Sequence, residues 1–174
     1  MAADTKIKEM NAKADASLNK DHVRFAHNKL SDWTAEEKAK LNGLMVDEAS
    51  RNKRELKSKR TQGRNLIDTA SAIDWAANGI TGPVKDQGGC GSCYTFAANT
   101  GLEAMISIKY GTAYQRLSEQ HIVDCATTAN GYNLYGCDGG YMHPVWEYFK
   151  SEGAMDYEDY PYVGYEQSCQ ENQS

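Results

Sequence analysis

Ten residues, Gln87-Gly-Gly-Cys-Gly-Ser-Cys-Tyr-Thr-Phe96, constrain this chain more than any other stretch. Two glycines lead into Cys90, and after Cys93 come Phe96, Ala97, Ala98, Leu102, Met105 and Ile106, an apolar face at helical spacing. The pattern predicts a helix that starts at Cys93 and ends at Gly111, where glycine tolerates the left-handed conformation that closes helices. A thiol at a helix start meets unsatisfied N–H groups and the positive end of the helix dipole, which favour thiolate over thiol. Cys93 is therefore placed as a reactive cysteine.

All five cysteines lie beyond residue 89, at 90, 93, 125, 137 and 169, so two bridges would leave one unpaired. A Cys-x-x-Cys pair alone also fits a redox site that joins Cys90 to Cys93, or a zinc site. Zinc would require four ligands with a second closely spaced pair, which Cys125 and Cys137 do not supply. No metal or cofactor is expected.

Charge divides the chain. Residues 1–66 carry 15 Lys and Arg against 10 Asp and Glu, while 67–174 carry 4 against 14. The basic residues cluster at Arg51, Lys53, Arg54, Lys57, Lys59, Arg60 and Arg64 without interleaved aromatics, which reads as an exposed, cleavable linker rather than a nucleic-acid contact. No apolar run approaches the ~18 residues of a bilayer span, and Met1–Met10 lacks the apolar core of a signal peptide. No membrane partner is expected, and the natural N-terminus is expected to lie outside the sequence.

Along the chain, Ile7, Met10, Ala14 and Leu18 give a weak helical rhythm, the end of a surface helix. Thr34 is an N-cap candidate, with Glu36 and Glu37 in the first turn, for a helix running to about Asn42 with Gly43 beyond. Gly79 to Pro83 is turn chemistry. Ser118 caps a helix over Glu119 to Cys125, residues 126–140 are loop, and Pro144 opens a third helix bearing Val145, Trp146 and Phe149 that Gly153 terminates.

Cys90-Gly-Ser-Cys-Tyr94 resembles the nucleophile signature of papain and the cathepsins, Cys-Gly-Ser/Ala-Cys-Trp/Tyr. Leu117-Ser-Glu-Gln-His-Ile-Val-Asp-Cys125 and Gly136-Cys-Asp-Gly-Gly-Tyr141 resemble two further blocks of that family in the right order, and Ile73-Asp74-Trp75 resembles the first strand of a mature enzyme. Upstream, Ile7 with Asn11, then Ala26-x-Asn28-x-Leu30-x-Asp32, resemble the inhibitory prosegment, with Ala for Gly and Leu for Phe.

The resemblance implies an α+β papain-like fold of two lobes. The chain would supply mainly the helical lobe, 68–174, behind a partial helical prosegment and basic linker, 1–67, with processing between Asp68 and Ser71. The β-barrel lobe would be absent. It implies disulfides Cys90–Cys137 and Cys125–Cys169, with Cys93 free; each would close a loop of about 45 residues, worth roughly 4 kcal/mol. Cys93 becomes the nucleophile and Gln87 an oxyanion donor beside the Cys93 backbone N–H. Gly91, Gly139 and Gly140 become backbone contacts for an extended peptide, and Tyr141 and Met142 the walls of a side-chain pocket. Plainer readings stand beside these: Gln87 as a loop amide, Tyr141 and Met142 as packing residues. Tyr94, where most relatives carry Trp, leaves endo- and exopeptidase subfamilies open.

The family's His and Asn fall ~130 to 150 residues after the nucleophile, beyond Ser174. His22 and His27 belong to the prosegment, His121 reads as structural, and His143 follows the peptide platform, within reach of a pocket rim as the lesser reading and without a block match for a catalytic role. The expectation is therefore a zymogen fragment or truncated gene product, inactive alone. Polypeptides would be its substrates, its own prosegment would lie in the cleft, and a second lobe or partner chain would cover the exposed interface. Location would be lysosomal, vacuolar or secreted, and Asn172-Gln-Ser174 is a sequon compatible with that. The competing reading is a non-catalytic protease-like interaction or inhibitory module. The charge split adds one expectation, that acid or salt favours release of the basic segment.

Overall fold

The computed structural model describes residues 2–16, 25–45 and 73–170. His22, the basic run Arg51 to Arg64, the 67/68 boundary, the processing stretch and the sequon lie outside the described residues. The chain divides into two compact units, Met1–Ala39 and Lys40–Ser174.

In the first unit, helix α1 spans Ala2–Ala16. The Asn11 side chain clamps an extended segment by accepting from Phe25 N at 2.8 Å and donating to Phe25 O at 2.9 Å. Two helical turns earlier, Asp4 Oδ1 meets His27 Nε2 at 2.7 Å. Helix α2, Ala35–Ala39, opens on a reciprocal cap: Thr34 Oγ1 accepts from Glu37 N at 3.2 Å, and Glu37 Oε2 accepts from Thr34 N at 2.7 Å. It ends three residues before the expected Asn42.

Three further helices build the second unit: α3, Cys93–Tyr110; α4, Glu119–Cys125; and α5, Met142–Ser151, with single 3₁₀ turns at Thr128–Asn130 and Gly136–Asp138. Gly111 closes α3 at φ 63°. Ser118 caps α4 by accepting from His121 N at 2.9 Å. The core joins Tyr94 and Ala98 of α3, Ile122 and Cys125 of α4, Leu134, and Val145 and Tyr148 of α5. His121 is buried among them, 3.0 Å from Tyr148 Oη, as a structural residue.

The buried face of α3 differs from the expected apolar one. Thr95, Asn99, Glu103 and Ser107 are buried with Tyr94 and Ala98, whereas Ala97 and Met105 are exposed. An ion cluster explains the reversal. Lys85 Nζ donates to both Glu103 oxygens, at 2.7 and 2.9 Å, and to Glu119 Oε1 at 2.7 Å, and Arg116 meets Glu119 Oε2 at 3.3 Å. Glu103 also accepts from Leu117 N at 2.8 Å. Buried carboxylates are tolerated only when paired and hydrogen-bonded in this way.

Residues 160–170 are held by a second polar cluster. Asp124 accepts from Gln120 Nε2, Gln167 N and Tyr160 Oη at 2.8–2.9 Å, and Gln120 Oε1 accepts from Val163 N at 3.0 Å.

No strand forms among the described residues, which carry only isolated bridges. The strand expected at Ile73-Asp74-Trp75 is a turn instead. Asp74 Oδ1 accepts from Ala76 N and Ala77 N at 3.0 Å, side-chain bonds that compete with a ladder. Ile73 and Trp75 are exposed, without a neighbouring strand to pair.

Candidate active site

Cys93 is the first residue of α3, half-buried, and the free thiol among the described residues. The other four cysteines form Cys90–Cys137 and Cys125–Cys169. The first bond ties the nucleophile loop to the 3₁₀ turn before Gly139, and Gly91 N reinforces it by donating to Cys137 O at 2.9 Å. A side chain on Gly91 would strike that carbonyl, so glycine is required there by close backbone approach.

Gln87 precedes the turn, and its Nε2 donates to Cys90 O at 2.9 Å and to Leu41 O at 3.1 Å. The first bond is the loop-closing role; the second shows the same amide reaching a peptide carbonyl from residues 40–45.

That segment runs along Gly139 and Gly140. Gly140 N donates to Gly43 O at 2.8 Å, and Met45 N donates to Gly140 O at 2.9 Å, a parallel bridge centred on Leu44. On its other side Gly140 bridges Leu134, and Tyr135 N donates to Gly139 O at 3.0 Å. The two glycines form a backbone ledge. A Cβ at Gly139, where φ is 119°, would meet Gly43 O, and one at Gly140 would meet the Leu134 side chain and the Tyr94 ring. Tyr94, fully buried, donates from its hydroxyl to Gly136 O at 3.0 Å, and burial pushes its pKa well above the ordinary tyrosine value.

The segment fits tightly at Gly43, where an added Cβ would run into the Gly91 carbonyl. α2 stops at Ala39 for the same reason: continuing it would withdraw Leu41 and Gly43 from these partners. Tertiary bonds here override local propensity.

Tyr141 precedes α5 and is half-buried, while Met142 begins α5 and packs against the core. His143 is exposed, 3.7 Å from Glu147. No group of His, Cys, Asp or Glu that could hold a metal occurs among the described residues. None of their helices is long and apolar enough to cross a membrane.

Two features of the site were not legible in the sequence. One is which residues of the segment expected in the cleft would lie on the ledge, namely 41–45. The other is Tyr162, whose hydroxyl donates to Gln87 O at 2.8 Å and lies 2.7 Å from Ser92 Oγ. Glu166 is a lesser addition, accepting from Cys137 N at 2.7 Å.

Chemically, the arrangement combines a thiol at a helix start, a side-chain amide donor on the loop that leads to it and a ledge that pairs with an extended segment. Those parts suit nucleophilic attack on a peptide carbonyl.

Comparison with known proteins points the same way. The family model "Papain family cysteine protease" matches residues 69–174. Cathepsin K of Mus musculus is 38% identical over 161 residues, 91% of this chain and 46% of the relative. Thiol protease aleurain of Arabidopsis thaliana is 48% identical over 97 residues, 55% of this chain and 26% of the relative. Among solved structures, digestive procathepsin L2 proteinase from Tenebrio molitor larval midgut superposes with a TM-score of 0.73 at 27% identity, covering 95% of this chain and 52% of that one. The ragweed pollen allergen Amb a 11 cysteine protease in its proform gives 0.72 at 28% identity, with 99% and 51% covered. The chain spans less than half the length of the curated relatives it matches, and its mostly helical described part is consistent with the helical lobe of their fold. The chain belongs to the papain family of cysteine proteases.

Proposed function

We propose that residues 68–174 form the nucleophile-bearing half of a peptidase that cleaves polypeptides through the Cys93 thiolate, and that residues 1–67 are a partial inhibitory prosegment. The observation that carries this reading is the pairing of Gly43 and Met45 with Gly140 while the Gln87 amide holds the Leu41 carbonyl. An extended piece of polypeptide thus lies on the ledge, tied also to the loop that leads to the thiol.

In the proposed reaction, the Cys93 sulfur forms a bond to the scissile carbonyl carbon. The carbonyl electron pair moves to oxygen, where Gln87 Nε2–H and Cys93 N–H stabilise it. Expulsion of the amine then needs a proton from an imidazolium. The described histidines are engaged elsewhere: His27 with Asp4, His121 with Tyr148, and exposed His143 beside Glu147. Residues 1–174 therefore bind peptide in this reading and need a His and Asn from a second lobe, or from a partner chain on the exposed interface, to turn it over. The reaction calls for no cofactor. The family relationship and the two disulfides are compatible with a lysosomal, vacuolar or secreted setting.

The test is peptide hydrolysis by purified residues 1–174, with Cys93→Ala as control. No hydrolysis is expected, together with alkylation confined to Cys93. Hydrolysis abolished by Cys93→Ala would overturn the need for a second lobe, and an unreactive Cys93 would overturn the nucleophile assignment.

A further inference from the structure

Ser92 occupies the N-cap position of α3, yet its side chain makes no capping bond. Serine at that position ordinarily accepts from the N–H of the second or third helical residue. Here the hydroxyl points to Tyr162 Oη, 2.7 Å away, and that oxygen lies 2.8 Å from Gln87 O. A carbonyl only accepts, so the one Tyr162 proton goes to Gln87 O, and the Ser92 proton must go to Tyr162 Oη. The result is a directed chain, Ser92 to Tyr162 to Gln87, that bridges the turn through Gly88, where φ is 64°.

Tyr162 is well placed to hold such a chain. Its ring meets Phe96 of α3 edge-on at 4.9 Å between centroids. Its backbone neighbours are fixed by Gln120, Asp124 and the Cys125–Cys169 bond. Burial raises the pKa of the hydroxyl, which stays protonated at every pH where the site could work.

We infer that Tyr162 is a positioning residue: by drawing the Ser92 hydroxyl off the first turn of α3, where Thr95 N already donates to Ser92 O at 2.9 Å, and tying it to the Gln87 carbonyl, it leaves the Tyr94 N–H to the Cys93 sulfur and fixes the reach of the Gln87 amide. The inference rests on the assignment of Cys93 and Gln87 given above. It makes Ser92 a cap held open, and Tyr162 the group that holds it.

The experiment is the pH profile of iodoacetamide alkylation on the full 174-residue chain, in which the disulfides leave Cys93 to react. Tyr162→Phe keeps the ring against Phe96 and frees the Ser92 hydroxyl to cap Tyr94 N–H. Alkylation near pH 6 should then slow roughly threefold, the scale of one helix-terminus interaction. Ser92→Ala in the same background removes the new cap and should restore the wild-type rate, a rescue that a purely structural role for Tyr162 would not produce. Hydrogen exchange at the Tyr94 amide supplies a readout independent of the thiol, slower in Tyr162→Phe and restored in the double variant. If Tyr162→Phe superimposes on wild type in both readouts, or the double variant stays as slow as the single one, the inference is overturned. A wild-type Cys93 that iodoacetamide does not alkylate, with the exchange pattern as expected, would instead overturn the nucleophile assignment and leave the Ser92–Tyr162 tie standing.

Discussion

Lys85 and Glu103 are joined through both carboxylate oxygens, at 2.7 and 2.9 Å, with their side chains 8% and 1% exposed. The same ammonium meets Glu119, whose side chain is 0% exposed. One cation thus neutralises carboxylates from two helices. Lys85→Met should cost about 3–5 kcal/mol in urea unfolding, because it strands two buried charges rather than deleting one contact.

Alkali gives a second expectation at the same residue. Burial alone would lower the Lys85 pKa, but hydrogen bonds and charge from Glu103 and Glu119 outweigh it and raise it above 10.5. A raised folded-state pKa means that the contribution is complete below about 10.5 and is lost as pH climbs through the higher folded value. The stability gap between wild type and Lys85→Met, followed from pH 8 upward, should therefore narrow above about pH 10.5.

Asp124 behaves in the opposite sense from most carboxylates. Desolvation raises its pKa above 3.8, against the bonds from Gln167, Gln120 and Tyr160, which lower it. The folded state then binds its proton more tightly than the unfolded chain does, so this group favours the fold more as pH falls toward its folded pKa. Thermal melts between pH 4 and 7 should show less acid destabilisation in wild type than in Asp124→Asn, which lacks the proton uptake.

The Cys125–Cys169 bond closes a separation of 44 residues. Replacing both cysteines with Ser should cost about 4 kcal/mol. Hydrogen exchange of residues 160–170 should rise more than that of α5, because the bond anchors the stretch that carries Tyr162.

Gly43 has no room for a side chain against the Gly91 carbonyl. Gly43→Ala should loosen residues 41–45 from the ledge and raise the alkylation rate of Cys93 severalfold, while the thermal midpoint stays nearly constant. An unchanged rate would show that this segment does not shield the thiol.

What the sequence shows best is chemistry between near neighbours. Ser118 three residues before His121, and Gly111 after Tyr110, mark helix ends that depend on bonds within one turn. The nucleophile loop was legible for a similar reason, since Gly91 and Cys93 lie within one turn of Cys90. Features set by distant partners were not. α3 buries Asn99, Glu103 and Ser107 because Lys85 and Glu119 arrive from elsewhere, which no helical periodicity reveals. α2 stops at Ala39 because Leu41 and Gly43 are claimed by Gln87 and Gly140. Ile73 to Trp75 carries β-forming residues, but a strand is a relation between two segments and Asp74 offers its own backbone an alternative. Tyr162 reads as one of 11 tyrosines until its hydroxyl is placed between Gln87 and Ser92.

The Tyr94 ring lies under Gly140, and its hydroxyl holds Gly136. The ledge, a peptide-binding floor in the proposed reading, and the hydrophobic interior are thereby two sides of a single aromatic residue. A variant that widens the floor by shrinking Tyr94 would open a hole between α3, α4 and α5, so selectivity and foldedness cannot be tuned separately there. In the proposed reading, redesign of peptide preference has more freedom at half-buried Tyr141, which lies outside the core cluster that Tyr94 joins.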